Sequence, residues 1–362
     1  MTEVASEAAG DDVELRISEG FEGWLAEAST SLVFGIPPAR LFALGLDEAG
    51  ALTVVERTYD KPMGIAYDAA RDALHVGTRR EIWRLQNVLA PGARTDDGCD
   101  TLFVPMERST TGYVNVHDLG VEADGGVLMV NTRFGCLART SDTHSFTPTW
   151  WPPFLPGPAP NDRCHLNGVA MREGRPYAVT AISTTSAVDS WRAHRRDGGV
   201  VIDVESGELL CTGLSMPHSP RWYDGDLWIA NAGTGELGRI APGSTRFEAV
   251  AALPGFARGL TFVDHYAVVG TSRPRHGDLY SGLGLDDRLT RLGWPPRLGI
   301  FVVDLRSGAV VEWLQVDGEA RELFEVVALC GVRRPGLLGL GADDVVTTIT
   351  FEGDPVGAEV SA

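Results

Sequence analysis

Apolar residues in this chain fall in short runs, rich in β-branched and aromatic side chains and bounded by Gly, Asp and Pro. Examples are Leu74–Thr78, Val127–Asn131, Tyr177–Ala181, Leu227–Asn231 and Tyr266–Gly270. Such runs and their punctuation predict β-strands. Each follows a related phrase: a turn, a small or acidic residue, then another strand-like run. The copies are Lys61–Asp68, Asn115–Val121, His165–Met171, His218–Tyr223, Phe256–Phe262 and Leu323–Ala328, recurring at about fifty residues. Third strands follow as Ile82–Leu85, Gly199–Asp203 and Gly299–Asp304, and fourth strands as Glu208–Cys211 and Val310–Trp313.

Repeated four-stranded units that cannot each bury a core predict an all-β fold, a six-bladed β-propeller. The last copy starts near Glu325 and has room for one more run, Leu337–Leu340. The amino-terminal runs Leu41–Gly45 and Leu52–Glu56 are therefore expected to supply its outer strands and close the ring. Residues 1–18 are expected to form a disordered acidic tail, 19–353 a single propeller domain and 354–362 a carboxy-terminal tail. A short helix is expected over Ser18–Glu27. Long insertions at 183–198 and 273–297 fall between second and third strands, which puts them on the face where the repeat phrases begin. The second contains a helical stretch, Leu285–Leu292.

A hydrophobic content of 44% with 43 glycines and 21 prolines suits many short strands and turns. The net charge of −18 argues against nucleic acid and anionic membranes as partners, because both call for a basic face. Five widely spaced cysteines without a CxxC pair fit buried thiols of a reducing compartment. With no basic start followed by an apolar run, and no run of about 18 apolar residues, the expectation is a cytoplasmic protein.

In a propeller the starts of the inner strands converge on the axis. Here those positions hold His117, His165, His218 and Glu325, which predicts a divalent metal site. Imidazole with carboxylate favours Zn, Fe, Mn or Cu over Ca. Asp118 and Glu325 are the candidates for proton transfer, and Arg258 and Asn167 for holding a substrate. Each has a plainer alternative: histidines bonded to neighbouring carbonyls, Asp118 capping a turn, Arg258 in a rim salt bridge. Strand neighbours point oppositely, so His117 and Asp118 face the axis together only if the turn is irregular. The same rule makes Cys164 a structural thiol rather than a partner of His165. Phosphate-loop, Rossmann and hydrolase-elbow motifs are absent.

The phrases Ser141–Phe146, Asp162–Gly168, Asp197–Asp203, Leu214–Trp222 and Asn231–Glu236 resemble a bacterial family of unknown function expected to be propellers. The resemblance spans about Ser31 to Leu338 and implies the fold alone. A looser one is to the gluconolactonase and regucalcin superfamily and to strictosidine-synthase-like propellers. Leu166–Val169 is similar to their Asn-Gly phrase, which implies Asn167 as a ligand. Met63 and Arg258 stand where that superfamily has acidic residues, so its calcium site does not carry over. The expected function is a metal-dependent enzyme for a small polar or anionic substrate, hydrolytic by analogy or else an oxidoreductase or isomerase. The alternative is a propeller scaffold that binds a protein or peptide.

Overall fold

The computed structural model describes residues 2–4, 13–274, 282–341 and 343–351. The tail expected over 354–362, most of residues 1–12 and part of the second insertion lie outside the described residues.

The chain is a six-bladed propeller. Each blade is an antiparallel sheet whose inner strand begins with one of the repeat phrases: Ile65–Asp68, Val116–Val121, Leu166–Arg172, Pro217–Tyr223, Phe256–Val263 and Val326–Cys330. Strand residues alternate between two faces, so every blade offers an apolar layer to each neighbour. Phe34 and Leu32 face the fifth blade, whereas Val33 between them packs towards the first. One hydrophobic cluster fills the gap between each pair of adjacent blades around the ring. The wedges narrow towards the axis, and glycine marks the tightest points. A Cβ on Gly168 would lie 2.3 Å from Pro220 of the next blade. Gly259 combines a φ of 85° with a carbon of the sixth blade 3.1 Å from where its Cβ would stand.

The sixth blade closes the ring with strands from both chain ends: Val326–Cys330, Thr30–Ile36, Arg40–Leu46 and Leu52–Thr58. Three of the four are amino-terminal, against the two expected. Thr30–Ile36 is buried throughout and takes the place assigned to Leu337–Leu340. Pro335–Leu337 instead runs parallel to Thr101–Thr110 on the outside of the first blade. The tail expected over 1–18 also needs correcting over its last residues. Val13–Ile17 pairs with Ala309–Gly318 and extends the fifth blade outwards. The expected helices are present as Phe21–Glu27 and Gly284–Leu292. No helix among the described residues is long and apolar enough to cross a membrane.

Candidate functional site

The inner strands of the second to fifth blades all carry a bulge just after they begin. The register aligns His117 with Asn167 and Arg258, and Asp118 with Gly168 and Gly259; in the fourth blade the bulge comes one residue later, just after His218. An extra residue breaks strict alternation, which is how His117 and Asp118 are both buried. Immediately before three of these strands the backbone turns left-handed, at Asn115 (φ 56°), His165 (φ 53°) and Met216 (φ 47°). Non-glycine residues adopt this conformation at a cost, and it recurs where a site is shaped.

The turn aims a carbonyl at the histidine two residues on. His117 Nδ1 lies 3.1 Å from the Asn115 carbonyl oxygen, and His218 Nδ1 lies 2.9 Å from that of Met216. A carbonyl only accepts, so each Nδ1 carries the proton and each Nε2 keeps its lone pair. Thr132 Oγ1 donates to the Leu166 carbonyl at 2.6 Å and stands 2.9 Å from His117 Nδ1, placed to accept from it as well. In the third blade the histidine occupies the left-handed position itself. His165 Nδ1 is held 2.7 Å from Asp162 Oδ2, which gives the same tautomer. Burial, with help from nearby cationic groups, keeps His117 and His218 well below the usual imidazole range, so both are neutral at neutral pH.

All three histidines line an axial pocket of about 780 Å³. The rings of His117 and His165 are 4.9 Å apart between centroids, and those of His117 and His218 6.4 Å. Arg258 joins them: its guanidinium lies 3.6 Å from the Phe324 ring and 5.9 Å from that of Phe256. Its Nε donates to the Leu323 carbonyl at 3.3 Å. Its Nη2 makes no hydrogen bond, with Glu322 Oε2 at 4.0 Å. Further out the mouth carries Arg40, Lys61, Arg79 and Arg321 with Glu319 and Glu322; Arg40 is paired with Glu56 at 3.5 Å and Arg79 with Asp60 at 3.0 Å.

Three expected site residues do not line this pocket. Asp118 and Glu325 are engaged instead with Arg221, which had not been singled out. Arg221 donates to Asp118 at 2.7 and 3.0 Å and to Glu325 at 3.0 Å, and also to the carbonyls of Val169 and Leu260. Asp118 also accepts from the backbone N–H groups of Leu119 and Val169, and Glu325 from those of Leu260 and Val326. Glu325 therefore does not join the histidines as a fourth ligand, and neither carboxylate has an oxygen to spare for substrate. Asn167 accepts from Thr180 Oγ1 at 2.7 Å, while its buried side-chain nitrogen has no partner. Among the described residues, no group of three or more His, Cys, Asp or Glu side chains is arranged around a common metal position. Burial raises the Cys164 thiol to about 12, as suits a structural residue.

A family model described as "Domain of unknown function (DUF4915)" matches residues 19–338. The chain belongs to this family. No curated protein matches it. Among solved structures, a chain of a nidogen/laminin complex is 11% identical, with 83% of this chain and 99% of that one covered and a TM-score of 0.49. A gluconolactonase from Xanthomonas campestris, XC5397, is 18% identical over 68% of this chain and 80% of its own, with a TM-score of 0.43. A luciferin-regenerating enzyme is 12% identical over 85% and 92%, with a TM-score of 0.45. These likenesses do not bear on the chemistry of the pocket.

In this member of the DUF4915 family the two insertions meet beside the histidines, as their placement between second and third strands predicted. Trp191 of the first is fully buried and lies on His165, with ring centroids 4.2 Å apart. Leu283, Leu285 and Leu289 of the second pack with Trp191, Met216 and Phe256 in one cluster. Asp162 and Trp191 are the supporting residues that sequence reasoning missed. For Asp162 the signal was an acid three residues before a candidate histidine.

Proposed function

We propose that this chain is a metal-dependent enzyme for small anionic substrates, with the metal held by His117, His165 and His218 in the axial pocket. The observation that carries the reading is their common tautomer. All three have Nδ1 engaged by an acceptor of their own blade, which leaves Nε2 as the nitrogen each has to offer a ligand. Histidines that serve only to bond neighbouring carbonyls have no reason to share one pocket in one tautomer. Neutral imidazoles suit Zn, Fe, Mn or Cu. Bound there, such an ion would polarise a substrate oxygen.

The chain's own groups do the rest. Asp162 orients His165, Trp191 fixes the face of its ring, and Arg258 takes the anionic group of the substrate. Phe256 and Phe324 keep water from the guanidinium. With Asp118 and Glu325 engaged by Arg221, proton transfer falls to Glu319 or Glu322, the carboxylates of the pocket. Hydrolysis, metal-centred redox chemistry and isomerisation all suit such a centre.

A second reading, a scaffold that binds a peptide or protein at this mouth, is favoured by the absence of a converged three-ligand group among the described residues. Elemental analysis separates the two. Protein purified without chelator or histidine tag is compared with a His165→Ala, His218→Ala double variant. Stoichiometric metal in the first and none in the second supports the enzyme. No metal in the first, and no uptake of Zn, Fe, Mn or Cu on dialysis, leaves the scaffold.

A further inference from the structure

We infer that Arg258 is the carboxylate-recognising group of the axial pocket, and that its ligands are small 2-hydroxy or 2-amino acids. The inference rests on the pocket being the functional site, not on a metal being bound in it. Arg258 is 5% exposed, yet one terminal nitrogen has no hydrogen-bond partner. Leaving a buried donor of a charged group unpaired is costly, and a carboxylate would satisfy it with two parallel bonds. Stacking on Phe324 and the bond from Nε to the Leu323 carbonyl fix the plane of the guanidinium, so the fork is held ready. Its closest acid, Glu322, stays at 4.0 Å, too far for a hydrogen bond.

The histidines set the rest of the ligand. His117 is edge-on to Phe324, with centroids 6.1 Å apart, and His218 is edge-on to Phe256 at 5.4 Å. Arg258 lies over the Phe324 ring and 5.9 Å from that of Phe256. A carboxylate seated on Arg258 therefore carries its next carbon towards the imidazoles. The Nε2 atoms there are acceptors, because each Nδ1 holds the proton. A hydroxyl or amine on that carbon donates to them, whereas a bare methylene offers nothing. Arg258, buried in the pocket with a terminal nitrogen lacking a hydrogen bond, favours an anion over a neutral ligand.

The test uses the full chain, treated with chelator and dialysed free of it. Lactate, propionate and lactamide are titrated by calorimetry or ligand-observed NMR. Lactate is expected to bind about tenfold or more tighter than lactamide, and several-fold tighter than propionate. Arg258→Gln should abolish the preference for acid over amide. Arg258→Lys, which keeps the charge and loses the fork, should retain part of it. Equal binding of acid and amide, unchanged affinity in Arg258→Gln, or no binding of any carboxylate overturns the inference. Metal analysis of the untreated samples keeps the two readings apart. Metal without carboxylate binding sinks this inference alone, and carboxylate binding without metal sinks only the metal reading.

Discussion

Arg221 and Asp118 form a bidentate ion pair, at 2.7 and 3.0 Å, between the inner strands of the fourth and second blades. The same guanidinium reaches Glu325 of the sixth blade and carbonyls of the third and fifth. One side chain thus ties five of the six blades together near the axis, and Glu325 lies beside the carboxy-terminal strand that closes the ring.

Removing that cation leaves the buried Asp118 and Glu325 carboxyls with backbone N–H donors but no counter-charge. Arg221→Met is expected to lower the unfolding free energy by about 3–5 kcal/mol, the usual effect of breaking a buried pair on one side. Adding Asp118→Asn to Arg221→Met should recover part of the loss. Denaturant unfolding measures both. A loss below about 1 kcal/mol in the single variant would mean that the network does not hold the blades.

The network also makes stability depend on pH. Burial pushes Glu325 up to about 8, the Asp118 carboxylate adds to the rise, and Arg221 pulls the other way. A carboxyl that is raised on folding holds its proton in the native state while the unfolded chain, near 4.5, has already lost it. The native state therefore binds more protons between those values, and stability falls as pH rises from about 5 to 8, by at most about 1.4 kcal/mol per unit. Glu325→Gln has no proton to lose and should flatten that slope, whatever its absolute stability. Unfolding curves at pH 5, 6.5 and 8 decide the matter, and an unchanged slope in the variant assigns the effect elsewhere.

The repeat was legible because every inner strand begins with the same turn-and-strand phrase. It placed His117, His165, His218 and Arg258 around one mouth without any coordinates. Asp118 and Glu325 were misplaced because the column argument ignores depth. Residues of one register position can sit at the pocket floor or further along the axis, and a bulge decides which. Arg221 was missed because an arginine inside an apolar strand looks like an outward-facing residue until its partners from distant blades are known. Thr30–Ile36 was passed over as the second strand of the last blade because its pairing joins opposite ends of the chain, and no local pattern encodes that.

Asp162 fixes the tautomer of His165 through a 2.7 Å bond from Nδ1. If the histidines hold a metal, Asp162→Asn should weaken its binding about 10–100-fold while leaving the fold intact, the typical effect of losing a ligand's supporting carboxylate. Competition with a chelator of known affinity measures it. Arg163→Gln, at the next position outside the pocket, is the control. Equal metal affinity in Asp162→Asn and the unaltered protein would remove the carboxylate from the site.

Val13–Ile17 covers the outer edge of the fifth blade, pairing along Ala309–Gly318, with Leu15 and Ile17 buried and Arg16 bonded to Asp317. Deleting residues 1–17 removes two buried apolar side chains and exposes the apolar surface they cover, a loss of about 1.5–3 kcal/mol each, and uncovers a row of unpaired backbone groups. The truncated chain is therefore expected to unfold at lower denaturant and to self-associate as its concentration rises. A second truncation, of residues 1–12, removes only Thr2–Val4 from the outer edge of this strand and keeps Leu15 and Ile17 in place, so it should lower stability less. Light scattering with size-exclusion chromatography reads the association, and a monomeric, equally stable 1–17 deletion would show that this strand is dispensable. Of this strand only Val13 lines the axial pocket, whereas the three histidines and Arg258 stand on or just before inner strands, so metal content and ligand affinity at Arg258 should survive in whatever fraction stays folded. That separates damage to the rim of the propeller from damage to its centre.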